Sequence, residues 1–144
     1  MKSKNNIPRG IRLNNPCNLR KGQGKFVGEF TVSKDKQFRQ FKSMSWGIRA
    51  ALHLLVKTYY ELHHLHTVRK IINRWAPSVE NDTAAYIHAM CQELGIKPDA
   101  DIPSTAEFWT RFLDAMIFVE NGQRVDRCEI SAVVNIYFPF FVKS

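Results

Sequence analysis

Phe108-Trp-Thr-Arg-Phe-Leu-Asp-Ala-Met-Ile-Phe-Val119 is a nearly continuous apolar run that ends on a carboxylate, Glu120, with Asn121 and Gly122 directly behind it. Ser104-Thr-Ala-Glu107 ahead of it has the spacing of a capping box, so the run reads as one helix from there to Glu120. Between Ala115 and Val119 it is apolar all round, the pattern of a central helix rather than a surface one. Such a helix delivers Glu120 to the edge of the core. At that place desolvation and the negative end of a helix dipole both work against the charged form of a carboxylate, which is how a glutamate becomes a general acid near neutral pH. The plainer reading is that Glu120 marks where the helix leaves the core, with Gly122 as its C-terminal cap.

Helical periodicity extends upstream and downstream of this run. Residues 45–61 carry Trp46, Ile48, Ala51, Leu52, Leu55, Val56 and Tyr59 as a wide apolar stripe. Thr67 caps a second helix with Val68, Ile71, Ile72 and Trp75 on one face, stopped by Pro77. Asp82 or Asn81 caps a third, with Ala84, Ile87, Met90, Cys91 and Leu94 inward and Gly95 at its end. Asp126-Arg-Cys-Glu129 repeats the capping-box spacing and starts a last helix through about residue 137, before Pro139. The first forty residues hold most of the turn formers, and 26–31 and 37–41 alternate weakly enough to pair as a small hairpin across 33–36. The fold class is mainly α, with five to six helices and a small N-terminal loop and hairpin region. One domain over 1–144 is expected, residues 1–8 forming a flexible basic arm.

A chain of 144 residues buries roughly two thirds of its unfolded surface, so no metal or disulfide staple is needed for stability. Hydrophobic residues make up 44% and charged residues 24%, which is ordinary for a globular protein, and no apolar run reaches membrane-spanning length. The N-terminus has positive charge without an apolar segment behind it. No secretory signal is therefore expected, which implies cytoplasmic synthesis and action elsewhere only after lysis, virion delivery or another export route. Cys17, Cys91 and Cys128 are three at wide spacing and read as reduced structural thiols. A net charge of +8 predicts attraction to a polyanion, whether nucleic acid, lipid headgroups or bacterial cell wall.

A second polar cluster lies at Arg74-Trp-Ala-Pro-Ser-Val-Glu-Asn-Asp-Thr83. Glu80 sits in or just before the first turn of the third helix, where the N-terminal dipole favours an ionised carboxylate. Two carboxylates held in opposite states would suit glycoside cleavage, although helix-start electrostatics alone accounts for Glu80. His53, His63, His64, His66 and His88 lack a His-Glu-x-x-His pattern or neighbouring cysteines, so neither a metal nor another cofactor is expected. Phe38-Arg39-Gln40-Phe41-Lys42 alternates aromatic and basic residues as a base-stacking surface would, and equally as a short amphipathic strand would.

Arg9-Gly-Ile-Arg-Leu-Asn-Asn-Pro-Cys-Asn-Leu-Arg20 resembles the opening motif of a family of small phage and prophage proteins labelled virion structural protein and related to lytic enzymes. The resemblance continues through Phe38-x-x-Phe41, Gly47-Ile-Arg-Ala50, Thr67-Val-Arg-Lys-Ile-Ile72, Arg74-Trp-Ala-Pro77, Glu80-Asn-Asp-Thr-Ala-Ala-Tyr-Ile87 and Glu120-Asn-Gly122. That family is in turn similar to the lysozyme-like lytic transglycosylases with the pieces reordered. The acid-bearing helix that opens those enzymes stands last here, an arrangement that implies circular permutation. The resemblance implies Glu120 as general acid and then base, Tyr86 beside the reacting group, and Glu80 as a second carboxylate or a cleft-loop residue. It implies Asn14, Asn15, Asn18 and Arg20 along the sugar-binding wall, with Arg74, Trp75 and Asn121 as further substrate contacts. Cys17 stands where that family has glycine, Phe26 where it has tryptophan, and Gln123-Arg-Val-Asp lacks its Pro-Tyr.

These readings give a peptidoglycan-degrading enzyme of muramidase or lytic transglycosylase type, acting on the MurNAc–GlcNAc bond. Bacterial peptidoglycan and other virion proteins are the expected partners. The alternatives are a non-catalytic virion or wall-binding protein on the same lysozyme-like fold, an endopeptidase of the peptide cross-links, and a nucleic-acid binder.

Overall fold

Residues 6–142 are described by this computed structural model, and within them the chain is mainly α-helical. Helix α1 spans Arg9–Arg12, and α2 spans Met44–Leu52 and runs on as a π-helix over His53–Leu62. Helices α3, α4, α5 and α6 follow at Val68–Trp75, Thr83–Leu94, Ala106–Asn121 and Arg127–Phe141. The first five positions of the expected basic arm lie outside the described residues.

Local chemistry explains most of these boundaries. Thr67 accepts from the Lys70 N–H and Asp82 from the Ala85 N–H, so both expected caps form, and Gly95 closes α4 at φ 65. Helix α5 is capped by Thr105, which accepts from the Phe108 N–H, and not by Ser104. The Ser104 hydroxyl instead accepts from the Trp109 indole N–H at 2.9 Å, which fixes the largest side chain of the core. Helix α6 does not stop before Pro139 but passes through it to Phe141. The bond that proline forgoes would go to Asn135, which faces solvent, while buried Phe141 anchors the last turn to the core. Short α1 forms where only turns are expected.

Helix α5 is the centre of the molecule, packed against α1, α2, α4 and α6. Trp109, Phe112, Leu113, Met116 and Ile117 are fully buried along it, each burial contributing about 1.5–3 kcal/mol. Two residues depart from the expected apolar character. Phe118 is exposed beneath the Arg124 guanidinium, 4.3 Å from its ring centroid. Asp114 is buried and bonded by Arg124 at 2.8 Å, and Arg124 also reaches Glu93 of α4 at 2.6 Å. The cysteines are free thiols, but only Cys17 is buried; Cys128 is exposed on the first turn of α6.

In the N-terminal segment the two expected strands do meet, but as isolated bridges and not as a regular ladder. Segment 37–42 pairs on one side with 19–21 and on the other with 28–30, through isolated antiparallel bridges Arg20↔Phe38 and Glu29↔Phe41. Side chains take the backbone groups that a ladder would use: Asp35 accepts from the Gln37 and Phe38 N–H groups, and Ser33 donates to the Phe38 carbonyl. At the centre of the segment Arg39 pairs with Glu29 at 2.6 Å, both side chains under 10% exposed. The Arg39 guanidinium also donates to the Arg20 and Gly24 carbonyls. Phe41 is fully buried and Phe38 is covered by the guanidinium groups of Arg9 and Arg20, 3.5 and 4.9 Å from its centroid. Both rings are therefore engaged by the protein's own side chains.

Candidate active site

Glu120 occupies the last turn of α5, half-buried, and each of its carboxylate oxygens receives a hydrogen bond from a different part of the chain. The Asn18 amide donates to Oε1 at 2.9 Å and the Tyr86 hydroxyl donates to Oε2 at 2.7 Å. Three sequence-distant elements thus converge on one carboxylate: the loop after α1, the first turn of α4 and the end of α5.

The loop is built around Asn15, which is fully buried. Its amide donates to the Leu19 and Arg39 carbonyls, both at 2.9 Å, and its oxygen accepts from the Leu19 N–H at 2.8 Å. Asn14 and Asn18 take positive φ values of 52° and 54°, a conformation asparagine tolerates better than most residues. Cys17 is not among the residues with positive φ, so replacing a glycine there leaves no left-handed strain on the thiol. The Asn121 amide donates to the Pro16 carbonyl at 2.7 Å and the Ile117 carbonyl at 2.9 Å, clamping the end of α5 to the loop. Gly10 makes the close approach possible: a Cβ there would stand 2.5 Å from the Asn121 side-chain oxygen and 2.8 Å from the Asn15 carbonyl.

Burial pushes the Tyr86 hydroxyl well above its ordinary value, and the negative charge of Glu120 and the bond to it push further in the same direction. Burial, followed by Glu120, does the same to the Cys17 thiol. Both groups are therefore protonated at neutral pH, and Tyr86 acts as a donor to Glu120.

Glu120 and Asn18 open on a cleft of about 500 Å³. Arg9, Leu19, Arg20, Gln23, Phe26, Phe38 and Arg39 of the N-terminal segment line it together with Leu54, Tyr59, Trp75, Ala76, Pro77, Glu80 and Asn81 of the helical part. The π-helical stretch presents Leu54 and Tyr59 to it, a location in keeping with the frequency of π-turns at functional sites. Trp75 meets Tyr59 edge-on, centroids 5.9 Å apart, and the Arg74 guanidinium lies 5.5 Å from the Tyr59 centroid. The loop that carries Glu80 is closed by the Thr83 hydroxyl donating to the Ala76 carbonyl.

Of the residues expected at the site, Asn18, Arg20, Trp75, Glu80 and Glu120 line the cleft and Tyr86 bonds to Glu120. Asn14, Asn15, Arg74 and Asn121 do not line it. Asn14 donates to the Phe41 carbonyl, Asn15 is sealed inside the loop, Arg74 stands behind Tyr59, and Asn121 braces α5. They shape the wall instead of forming it. Arg9, Gln23, Phe38 and Tyr59 line the cleft without having been assigned to the site; Tyr59 reads from the sequence as one more residue of an apolar stripe. Among the described residues no group of His, Cys, Asp or Glu is placed to hold a metal ion, and no helix is long and apolar enough to cross a membrane.

No family model matches the sequence. The chain is similar to Protein P5 of Pseudoalteromonas phage PM2, 36% identical over 121 residues that cover 82% of this chain and 74% of that protein. This chain belongs to the family of the phage protein P5.

Proposed function

We propose that this phage-family protein is a peptidoglycan-degrading enzyme of muramidase or lytic transglycosylase type on a circularly permuted lysozyme-like fold. The observation that carries the reading is the convergence of Asn18 and Tyr86 on the two oxygens of Glu120, which lines a cleft. A carboxyl group held by two donors at the end of a buried helix has a defined orientation, which proton transfer to a bound substrate requires.

In this mechanism Glu120 passes a proton to the glycosidic oxygen between MurNAc and GlcNAc as the bond from the anomeric carbon breaks. The resulting carboxylate then takes a proton from the muramyl 6-hydroxyl, whose oxygen bonds to the anomeric carbon and closes an anhydro ring; water in that role gives hydrolysis. Tyr86 and Asn18 hold the carboxylate between the two steps. Glu80, which also lines the cleft, polarises water or stays a wall residue, since the anhydro route needs one carboxylate.

Digestion of purified sacculi followed by mass spectrometry tests this. The wild-type protein should release anhydro- or reducing-end muropeptides, and Glu120→Gln should release none while melting at the wild-type temperature. Full activity in Glu120→Gln overturns the assignment, and fragments with newly freed amines point to a cross-link endopeptidase. A second reading, a virion or wall-binding protein without turnover, draws on the occupation of both Glu120 oxygens by intramolecular donors. It expects sacculus pull-down with no soluble product.

A further inference from the structure

Beside the cleft, and sharing Gln23, Phe26 and Arg39 with it, lies a second cavity of about 300 Å³ whose wall also includes Lys25, Arg49 and His53. No carboxylate lines it. Arg39 is neutralised by Glu29, but Arg49 makes no ion pair among the described residues and rests on the rings of Tyr137 and Phe141, 4.7 and 5.5 Å from their centroids. Nε of Arg49 and Nδ1 of His53 are both buried without a hydrogen-bond partner in the protein. Buried polar nitrogens are seldom left so, and with Arg49 outside any ion pair and Lys25 in the same wall the cavity offers its excess positive charge to a group that carries negative charge. The His53 imidazole, packed between Phe26 and Phe141, is harder to protonate than usual because of burial and then the charges of Lys57 and Arg49. A bound anion would relieve that repulsion.

We propose that this cavity takes the carboxylate of a peptide branch attached to the glycan lying in the cleft. The inference rests on the peptidoglycan reading for its ligand, and on the cavity itself for its chemistry. The shared wall at Gln23, Phe26 and Arg39 is the route by which a branch leaves the cleft and enters the cavity. Arg49 supplies the fixed charge and His53 a second donor once protonated. Lys25 stands exposed at the rim.

The test follows the His53 ring resonances of the whole protein by NMR during titration with three probes: N-acetyl-Ala-Glu, its doubly amidated form, and inorganic phosphate. The acidic dipeptide should shift His53 saturably and raise its pKa; the amidated form should do neither, and phosphate should bind at least tenfold more weakly. Arg49→Gln should weaken dipeptide binding by roughly tenfold or more, the scale of one charge-assisted hydrogen bond. Since Arg49 also packs on two rings, Lys25→Glu, at an exposed position, gives an independent variant and should weaken binding without altering the melting temperature. An unresponsive His53, an equal response to the amidated probe, or phosphate binding as tight as the dipeptide overturns the proposal. Sacculus digestion reports on Glu120 separately: a protein that binds the dipeptide as described and releases no fragments keeps this site and loses the enzymatic reading.

Discussion

Replacing Asn15 by alanine isolates the device that shapes the site. The wild-type side chain makes three hydrogen bonds inside the loop, but they are not equivalent. The Leu19 carbonyl also accepts from the Arg39 N–H, so it keeps a partner when the amide is removed. The Leu19 N–H and the Arg39 carbonyl lose the partner that Asn15 supplies, and both residues are only 6% exposed. At about 1–3 kcal/mol for each of the two buried groups left unpaired, Asn15→Ala should cost about 2–6 kcal/mol. For a chain of this size that lowers the melting temperature by roughly 6–18 °C. Asn15→Asp keeps the acceptor for Leu19 but turns a carboxylate toward two carbonyls, so it should be at least as damaging. The matched control is Asn18→Gly, which removes the side chain that touches Glu120 while suiting the positive φ at that position. It should stay within about 1 kcal/mol of wild type, because its amide is only partly buried. Urea unfolding gives the free energies, and hydrogen exchange at the Leu19 amide shows whether the loss is local. A cost below about 1 kcal/mol for Asn15→Ala, or wild-type stability in Asn15→Asp, refutes the account of the loop.

Alkaline pH should destabilise the protein through Tyr86 and Cys17. Both are raised above their ordinary values of 10.0 and 9.0, so their contribution is complete below those values and is lost as pH climbs through the folded-state values. Tyr86→Phe should flatten that alkaline fall in unfolding free energy; a variant with an unchanged alkaline limb would contradict the assignment. Gly47→Ala should be destabilising by about 1–3 kcal/mol, opposite to the usual effect of alanine in a helix, because its Cβ would fall on the Asn14 carbonyl oxygen. Chemical denaturation decides the sign, and a stabilised variant would show that the loop yields freely to α2.

The helices were legible because their signals are local. Thr67, Asp82 and Asp126 act through N–H groups two or three residues away, and the apolar stripes of α2 to α6 repeat within a few turns. Local rules failed where a competing partner lay elsewhere: Ser104 gave up its capping position to bond Trp109, and Pro139 was carried inside α6 by the burial of Phe141. The hairpin formed only in part, 28–30 pairing with 40–42 through a single bridge, for the same kind of reason. Its backbone groups found Asn15, Ser33 and Asp35 side chains, and its basic residue became half of a buried ion pair with Glu29.

From the sequence alone, Glu120 was already a carboxylate at the end of a buried helix, and the resemblance of the chain associated it with Tyr86 and the asparagine-rich loop. Only the tertiary structure decided which asparagines face the cleft. Asn14, Asn15 and Asn18 are the same residue type within five positions, so composition and spacing cannot separate them. Hydrogen-bond demand in three dimensions does: Asn15 is drawn inward by orphan backbone groups of Leu19 and Arg39, and Asn14 by the Phe41 carbonyl. Asn18 alone of the three is left to reach a carboxylate 102 positions away.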